Sequence, residues 1–192
     1  MARHHCETTQ GRIKRYNQPL PLVDYLQPFV GDKKEIKIAD IASGAFSTIG
    51  SYLPGIDLKI YHCDKSDFVD FWVNRGITPI VSIEVQNMEA LTYPDEFFDI
   101  VHCQNSLDHT RNAKVAVEEM IRICKPDGWI YINCSLNQLD TGWKHYWNVK
   151  EDGIVTNNVE SFDLKDFGFQ IQFIDNGGET RYNQINAVLK KI

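Results

Sequence analysis

Five short apolar runs, rich in β-branched residues and closed by small or polar ones, recur along this chain, and no other feature narrows its possible folds as much. The first, Ile36-Lys37-Ile38-Ala39-Asp40-Ile41, ends in Ala42, Ser43 and Gly44. The second, Leu58-Lys59-Ile60-Tyr61-His62-Cys63, ends at Asp64. Residues 79–85, 97–103 and 129–134 supply the other three. Apolar residues at helical spacing fall between runs two and three (Phe68, Phe71, Trp72 and Val73, closing at Gly76). They recur between runs four and five (Val115, Val117, Met120, Ile121 and Ile123), where Lys125-Pro126-Asp127-Gly128 reads as the break. Strands that alternate with helices pair in parallel through right-handed crossovers and carry helices on both faces.

Ahead of the first run, Leu20, Leu22, Val23, Leu26, Phe29 and Val30 predict a lead helix started by prolines. After the fifth run, residues 135–158 are polar and aromatic without regular periodicity, and a short helix is expected over 162–167. Two last runs, 169–174 and 182–189, flank the turn signal Asn176-Gly177-Gly178 and predict an antiparallel hairpin. The expected fold is a doubly wound, Rossmann-like α/β sheet of seven strands, mostly parallel, with that hairpin at its end. A chain of 192 residues fits one such domain over 1–192, with an N-terminal extension and lead helix over 1–35 and an acceptor-side lid over 136–158.

Composition excludes several classes. At 43% hydrophobic and 24% charged residues the chain resembles ordinary globular domains, not disordered or collagen-like ones. A formal net charge of -6 provides no broad cationic field for phosphates, which argues against nucleic acid as a partner. No apolar run is long enough to span a bilayer, and the polar start, residues 1–10, does not read as a signal peptide. His4, His5 and Cys6 in that stretch have metal-ligand chemistry, but a mobile polar tail is the preferred reading. The five cysteines form no C-x-x-C pair, and Cys63, Cys103 and Cys134 end apolar runs as small buried hydrophobes. Free thiols suit a reducing compartment, so a cytoplasmic location is expected.

Ligands of such sheets bind beyond the carboxyl ends of the strands. There the first run presents Asp40, Ala42, Ser43 and Gly44, small residues that let backbone approach a ligand. A ligand-free strand-to-helix turn is the competing reading of that segment. Asp64 lies twenty positions after Gly44 at the end of the second run, where a carboxylate can accept both hydroxyls of a ribose. Helix capping is the alternative for Asp64, although Ser66 or Asp67 could cap instead. Ala42 and Phe46 remove the G-x-G-x-x-G pattern expected for NAD.

The string Asn87-Met88-Glu89-Ala90-Leu91-Thr92-Tyr93-Pro94-Asp95-Glu96-Phe97-Phe98-Asp99 resembles D-A-E-x-L-P-F-P-D-x-S-F-D of the class I S-adenosylmethionine-dependent methyltransferases, with Asn87 replacing the first acid. Arg122, Lys125, Pro126 and Gly128 are similar to their R-x-L-K-P-G-G segment, with Asp127 in place of a glycine. Ala42 and Phe46 stand where two glycines of their D-x-G-x-G-x-G loop are expected. The resemblance runs from about Lys37 to Cys134. It implies S-adenosylmethionine as cofactor and S-adenosylhomocysteine as product. It assigns Asp40, Ala42, Ser43, Gly44, Asp64, Lys65, Asn87, Met88, Gln104 and Asn105 to the cofactor, with Asn87 on the adenine amino group and Met88 against the ring. Leu107-Asp108-His109-Thr110 with the string from Gly142 to Asn148 further resembles a bacterial and phage branch associated with surface-polysaccharide clusters.

Methyl transfer is an in-line displacement at a carbon already activated by a sulfonium, so alignment in a dry pocket matters most and no metal is required. A hydroxyl acceptor also needs a base, for which histidine is the usual choice. His109 is the candidate base, with Asp108 beside it and His145 as a second candidate; a capping role for His109 is the alternative. Trp143, Tyr146 and Trp147 are candidate acceptor contacts. The expected function is methyl transfer to a small molecule, nucleotide sugar or glycan, at oxygen. The alternative is a noncatalytic cofactor-binding or partner protein that retains the fold. A DNA amino-methyltransferase is disfavoured, because Cys103-Gln104-Asn105-Ser106 lacks the Asn/Asp-Pro-Pro-aromatic string.

Overall fold

The computed structural model describes residues 20–44, 48–65, 70, 74, 81–138, 145–175 and 183–192. The strands β1 (Glu35–Ile41), β2 (Asp57–Asp64), β3 (Ile83–Val85), β4 (Phe98–Gln104), β5 (Cys124–Ser135), β9 (Gln170–Ile174) and β10 (Gln184–Lys190) form one seven-stranded sheet in the order β3-β2-β1-β4-β5-β10-β9. β2 pairs in parallel with both β1 and β3, and β4 pairs in parallel with β5. β10 runs antiparallel to β5 and to β9. The expected strand succession and the antiparallel closing strands are therefore present. The described residues fall into two compact units, Met1–Gln86 and Asn87–Ile192.

In the first unit, the core gathers Leu22, Leu26, Val30, Ile36, Ile38 and Ile49, all buried. The expected lead helix is not there. Leu22 N–H donates to the Tyr52 carbonyl (2.7 Å) and Val23 N–H to the Ile49 carbonyl (3.0 Å), so the segment starts as extended chain and closes in one 3₁₀ turn, Gln27–Phe29. The leucine spacing is served by turns because Pro21 and Pro28 lack the N–H groups that an α-helix would need. Gly50, at φ +87°, is required here: a Cβ would lie 2.1 Å from the Pro21 carbonyl oxygen. The third strand is shorter than expected, since Val81 and Ser82 are not paired. Of the helix expected over 68–76, only the Asn74 N–H bond to the Asp70 carbonyl (2.9 Å) falls on described residues.

In the second unit, α1 (Ala113–Ile123) starts at Asn112, whose side chain accepts from Val115 N–H. Ala113, Ala116, Val117, Met120 and Ile123 are its buried face, at the three- and four-residue spacing of an amphipathic helix. Lys191 closes its far end, donating to the carbonyls of Ile121 (3.1 Å) and Cys124 (2.8 Å). The break expected at 125–128 is a bulge within β5: Phe98 faces Cys124 but Ile100 faces Trp129, and Asp127 takes a left-handed φ of 59°.

The described residues 145–163 carry more regular structure than their composition suggested. β6 (Asn148–Val149), β7 (Ile154–Thr156) and β8 (Ser161–Asp163) form a small antiparallel sheet in that order. Trp147 anchors it, fully buried and in edge contact with Phe162, which in turn meets Phe167. The short helix expected over 162–167 is a 3₁₀ turn, Leu164–Phe167, capped by Asp163 and ended by Gly168. The N-terminal stretch, Ala45, Phe46, Trp143 and the Asn176-Gly177-Gly178 turn lie outside the described residues.

Candidate active site

In the first unit, the loop after β1 is tied to the end of β2. Ser43 N–H donates to the Cys63 carbonyl (3.1 Å) and Gly44 N–H to Oδ2 of Asp64 (2.8 Å). Lys65 N–H donates to Oδ1 of the same carboxylate (2.7 Å). Asp64 thus sets the loop through one oxygen, while an ionised carboxylate retains lone pairs for further donors such as ribose hydroxyls. Ala42 keeps the left-handed backbone of the glycine it replaces, at φ 55°, a conformation that costs a non-glycine residue roughly 1–2 kcal/mol. Asp40 is buried and accepts from Nδ1 of His62 (3.1 Å), a pairing of neighbouring strands. Cys63 is pushed up to about 12 by burial, so it is a neutral thiol there.

In the second unit, Asn87 is exposed and opens a turn: its side chain accepts from Glu89 N–H (3.1 Å) and its carbonyl from Ala90 N–H (2.9 Å). The Met88 side chain is buried beside it. The rest of this string is clamped by two residues of α1. Arg122 donates to the carbonyls of Tyr93 (2.9 Å) and Leu91 (2.8 Å) and to Oδ1 of Asp95 (2.6 Å). It also binds both oxygens of Glu119, one of which accepts from Leu91 N–H (2.8 Å). Chiefly through the Arg122 hydrogen bonds, and against burial, Glu119 is held below the usual carboxylate range. Arg122 was visible in the motif, but the clamp was not; the Glu119 to Arg122 spacing on one helix face was its only signal.

Beyond β4, Gln104 and Asn105 are exposed, and Asn105 adopts φ 52°. Its N–H donates to the Asn133 carbonyl (2.7 Å) and its side chain accepts from Ser135 N–H (3.3 Å), fixing the exit of the strand. The chain then makes a 3₁₀ turn, Leu107–His109, closed by the Thr110 hydroxyl on the Leu107 carbonyl (2.8 Å). Three bonds pin residues 145–147 against this turn. The Asp108 carbonyl accepts from Tyr146 N–H (2.8 Å) and Trp147 N–H (3.3 Å), and the Trp147 indole donates to the Thr110 carbonyl (3.0 Å).

This packing places Asp108, His109 and His145 together, although 37 residues separate the acid from His145. Asp108 is almost wholly buried, and its Oδ2 accepts from Nδ1 of His145. Its other oxygen, Oδ1, is buried with no hydrogen-bond partner among the described residues. The His109 and His145 rings lie 4.3 Å apart, tilted by 35°. The acid expected beside His109 is bonded to His145, the second candidate base, and a proton on Nδ1 of His145 leaves its Nε2 able to accept. Trp147, expected to contact an acceptor, is a packing residue instead, buried with its indole N–H already bonded. Tyr146 is 40% exposed and remains available for such a contact. Cys134 nearby is raised well above the usual thiol range, first by burial and then by the Asp108 charge, which leaves no thiolate nucleophile at this position.

Residues 40–132 match the family model described as a methyltransferase domain. The chain is 40% identical over 63 residues to a ubiquinone/menaquinone biosynthesis C-methyltransferase of Hydrogenovibrio crunogenus, covering 33% of this chain and 25% of that relative. It is 23% identical over 146 residues to a ubiquinone biosynthesis O-methyltransferase of Nitrosomonas europaea, covering 68% of this chain and 57% of the relative. The chain thus spans between a quarter and somewhat over half of the length of these curated relatives. Among solved structures, a SAM-dependent methyltransferase from Methanosarcina mazei superposes with a TM-score of 0.56 at 15% identity, over 90% of this chain and 99% of the other. The sheet order, the loop joined to Asp64 and the match over 40–132 lead to one conclusion: residues 40–132 match the methyltransferase-domain family, and the chain has the class I S-adenosylmethionine-dependent methyltransferase fold.

Proposed function

We propose that this protein transfers the methyl group of S-adenosylmethionine to a hydroxyl oxygen of a small-molecule, nucleotide-sugar or glycan acceptor. The observation that carries the reading is the Asp108–His145 pair, a buried carboxylate that fixes an imidazole beside a second one. A neutral amine attacks through its own lone pair and sheds a proton to water afterwards, whereas a neutral hydroxyl must lose its proton as the C–O bond forms and the C–S bond breaks. Nε2 of His145 takes that proton, and Asp108 stabilises the imidazolium that results. Asp64 accepts from the ribose hydroxyls, Asn87 accepts from the adenine amino group, and Asp40, Ala42, Ser43, Gly44, Lys65, Met88, Gln104 and Asn105 complete the cofactor contacts. Tyr146 offers an aromatic face to a sugar or ring. We place the activity in the cytoplasm, in keeping with the free, buried thiols of Cys63, Cys103, Cys124 and Cys134.

The test is a screen of sugar nucleotides and glycans with isotopically labelled S-adenosylmethionine, reading label in the acceptor by mass spectrometry. Label on an acceptor oxygen is the expected result. Tight cofactor binding with no transfer to any acceptor would favour a noncatalytic binding protein, and label on carbon or nitrogen would overturn the oxygen acceptor.

A further inference from the structure

A buried carboxylate with one oxygen unpartnered is costly unless a proton or a cation completes it. Asp108 is in that position: Oδ2 meets His145, and Oδ1 has no hydrogen-bond partner among the described residues. Around it, one oxygen of Asp108 and one nitrogen each of His109 and His145 all lie within 4.8 Å of one another. Ligand atoms around a single Zn2+ bonded at about 2.0–2.1 Å stand roughly 3–4 Å apart, so a contraction of about an ångström through side-chain torsions would close the set. Two imidazoles and one carboxylate suit Zn2+, Co2+ or Ni2+ rather than Mg2+ or Ca2+, which prefer oxygen ligands. The group is rigidly mounted as well, with the Asp108 carbonyl bonded to the backbone that follows His145.

From this we infer that Asp108, His109 and His145 form a binding site for one divalent transition cation of the zinc class. The inference departs from the metal-free expectation read from the sequence. It rests on the proposed function only for its consequence. A cation seated on these nitrogens uses the lone pairs that would receive the acceptor's proton, so cation binding and proton acceptance exclude each other. Zinc then acts at this site as a reversible brake on methyl transfer.

The test is titration of the chelator-stripped full chain with Co2+, followed by visible absorption and calorimetry. One bound equivalent is expected, with d–d bands that Asp108→Asn, His109→Gln and His145→Gln each abolish while circular dichroism stays native. A His4→Ala, His5→Ala, Cys6→Ser variant should keep both the bands and the equivalent. In the wild-type protein, where no variant's folding is at issue, the imidazole NMR signals of His109 and His145 should shift on adding Zn2+ and return with chelator. Absence of cobalt binding, bands that survive His145→Gln, loss of binding in the terminal variant, or unmoved imidazole signals would each overturn the site. Methyl transfer measured with and without chelator is a separate readout. Chelated protein that binds Co2+ but transfers no methyl group to any acceptor contradicts the proposed function and leaves the cation site standing. Transfer that Zn2+ does not slow contradicts the brake.

Discussion

Two carboxylates of the second unit, the part-buried Glu119 and the almost wholly buried Asp108, are used in opposite ways. Both oxygens of Glu119 are engaged by Arg122, and one also by Leu91 N–H, so each is hydrogen-bonded within the fold. Asp108 gives one oxygen to His145 and leaves the other buried, with no hydrogen-bond partner among the described residues. Saturated polar groups fix a fold, whereas an unsaturated one stores a cost that only function explains. The comparison separates the clamp that shapes the Asn87 turn from the cluster proposed to do the chemistry.

The largest expected effect falls on the unsaturated side. His145→Gln should lower methyl transfer by about 100-fold or more while leaving cofactor affinity and thermal midpoint nearly unchanged, as steady-state kinetics beside calorimetry would show. His109→Gln should cost less, because Oδ2 of Asp108 is bonded to His145. Equal losses in both variants would erase the distinction between the two histidines. On the saturated side, Arg122→Met should destabilise the protein by about 2–3 kcal/mol, since it strands the Glu119 carboxylate and two carbonyls, and urea unfolding reads that directly.

Between these lies Asp64, which ties the loop through Gly44 and is proposed to hold the ribose. Asp64→Ala should weaken cofactor binding by about 1–3 kcal/mol. Unchanged affinity in a folded variant would return Asp64 to a loop-fixing role alone. The smallest effect is a pH dependence. The folded pKa of Glu119 is depressed, mainly by Arg122, so its contribution to stability is complete above the unfolded carboxylate pKa and is lost as pH falls through the folded one. Glu119→Gln should therefore unfold more easily than the parent near neutrality, and the gap should narrow in acid. A gap independent of pH would show that the carboxylate charge contributes nothing there.

Sequence periodicity located the sheet because strands carry their own signature: the run from Ile36 to Ile41 is β1 apart from one residue at its start, and the fourth, over 97–103, is shifted from β4 by a single residue. Where local pattern and tertiary packing disagreed, packing prevailed. Leucines at helical spacing over 20–30 became extended chain and a 3₁₀ turn, since Pro21 and Pro28 withhold helical donors and the N–H groups of Leu22 and Val23 bond to Tyr52 and Ile49. Asp64 and the loop before it were legible because their spacing in sequence is fixed by one strand-turn unit. The partner of Asp108 was not, because adjacency in sequence pointed to His109 while the bonds from residues 145–147 to the Leu107–Thr110 backbone bring in His145 instead. Trp147 misled for the opposite reason: an aromatic in a polar stretch resembles a ligand contact, and only the small sheet built around it shows that it packs.

The central claim is that the half-satisfied Asp108 marks the chemical centre, and Asp108→Asn tests it most directly. The amide keeps the shape of the side chain and removes its charge, so His145 loses the partner that stabilises its protonated form. Methyl transfer and cofactor affinity should be measured on the same preparation, with unfolding followed by circular dichroism. The account expects transfer to fall by about 100-fold or more at unchanged affinity for S-adenosylmethionine, in a protein at least as stable as the parent. Full transfer in a folded Asp108→Asn variant would contradict it.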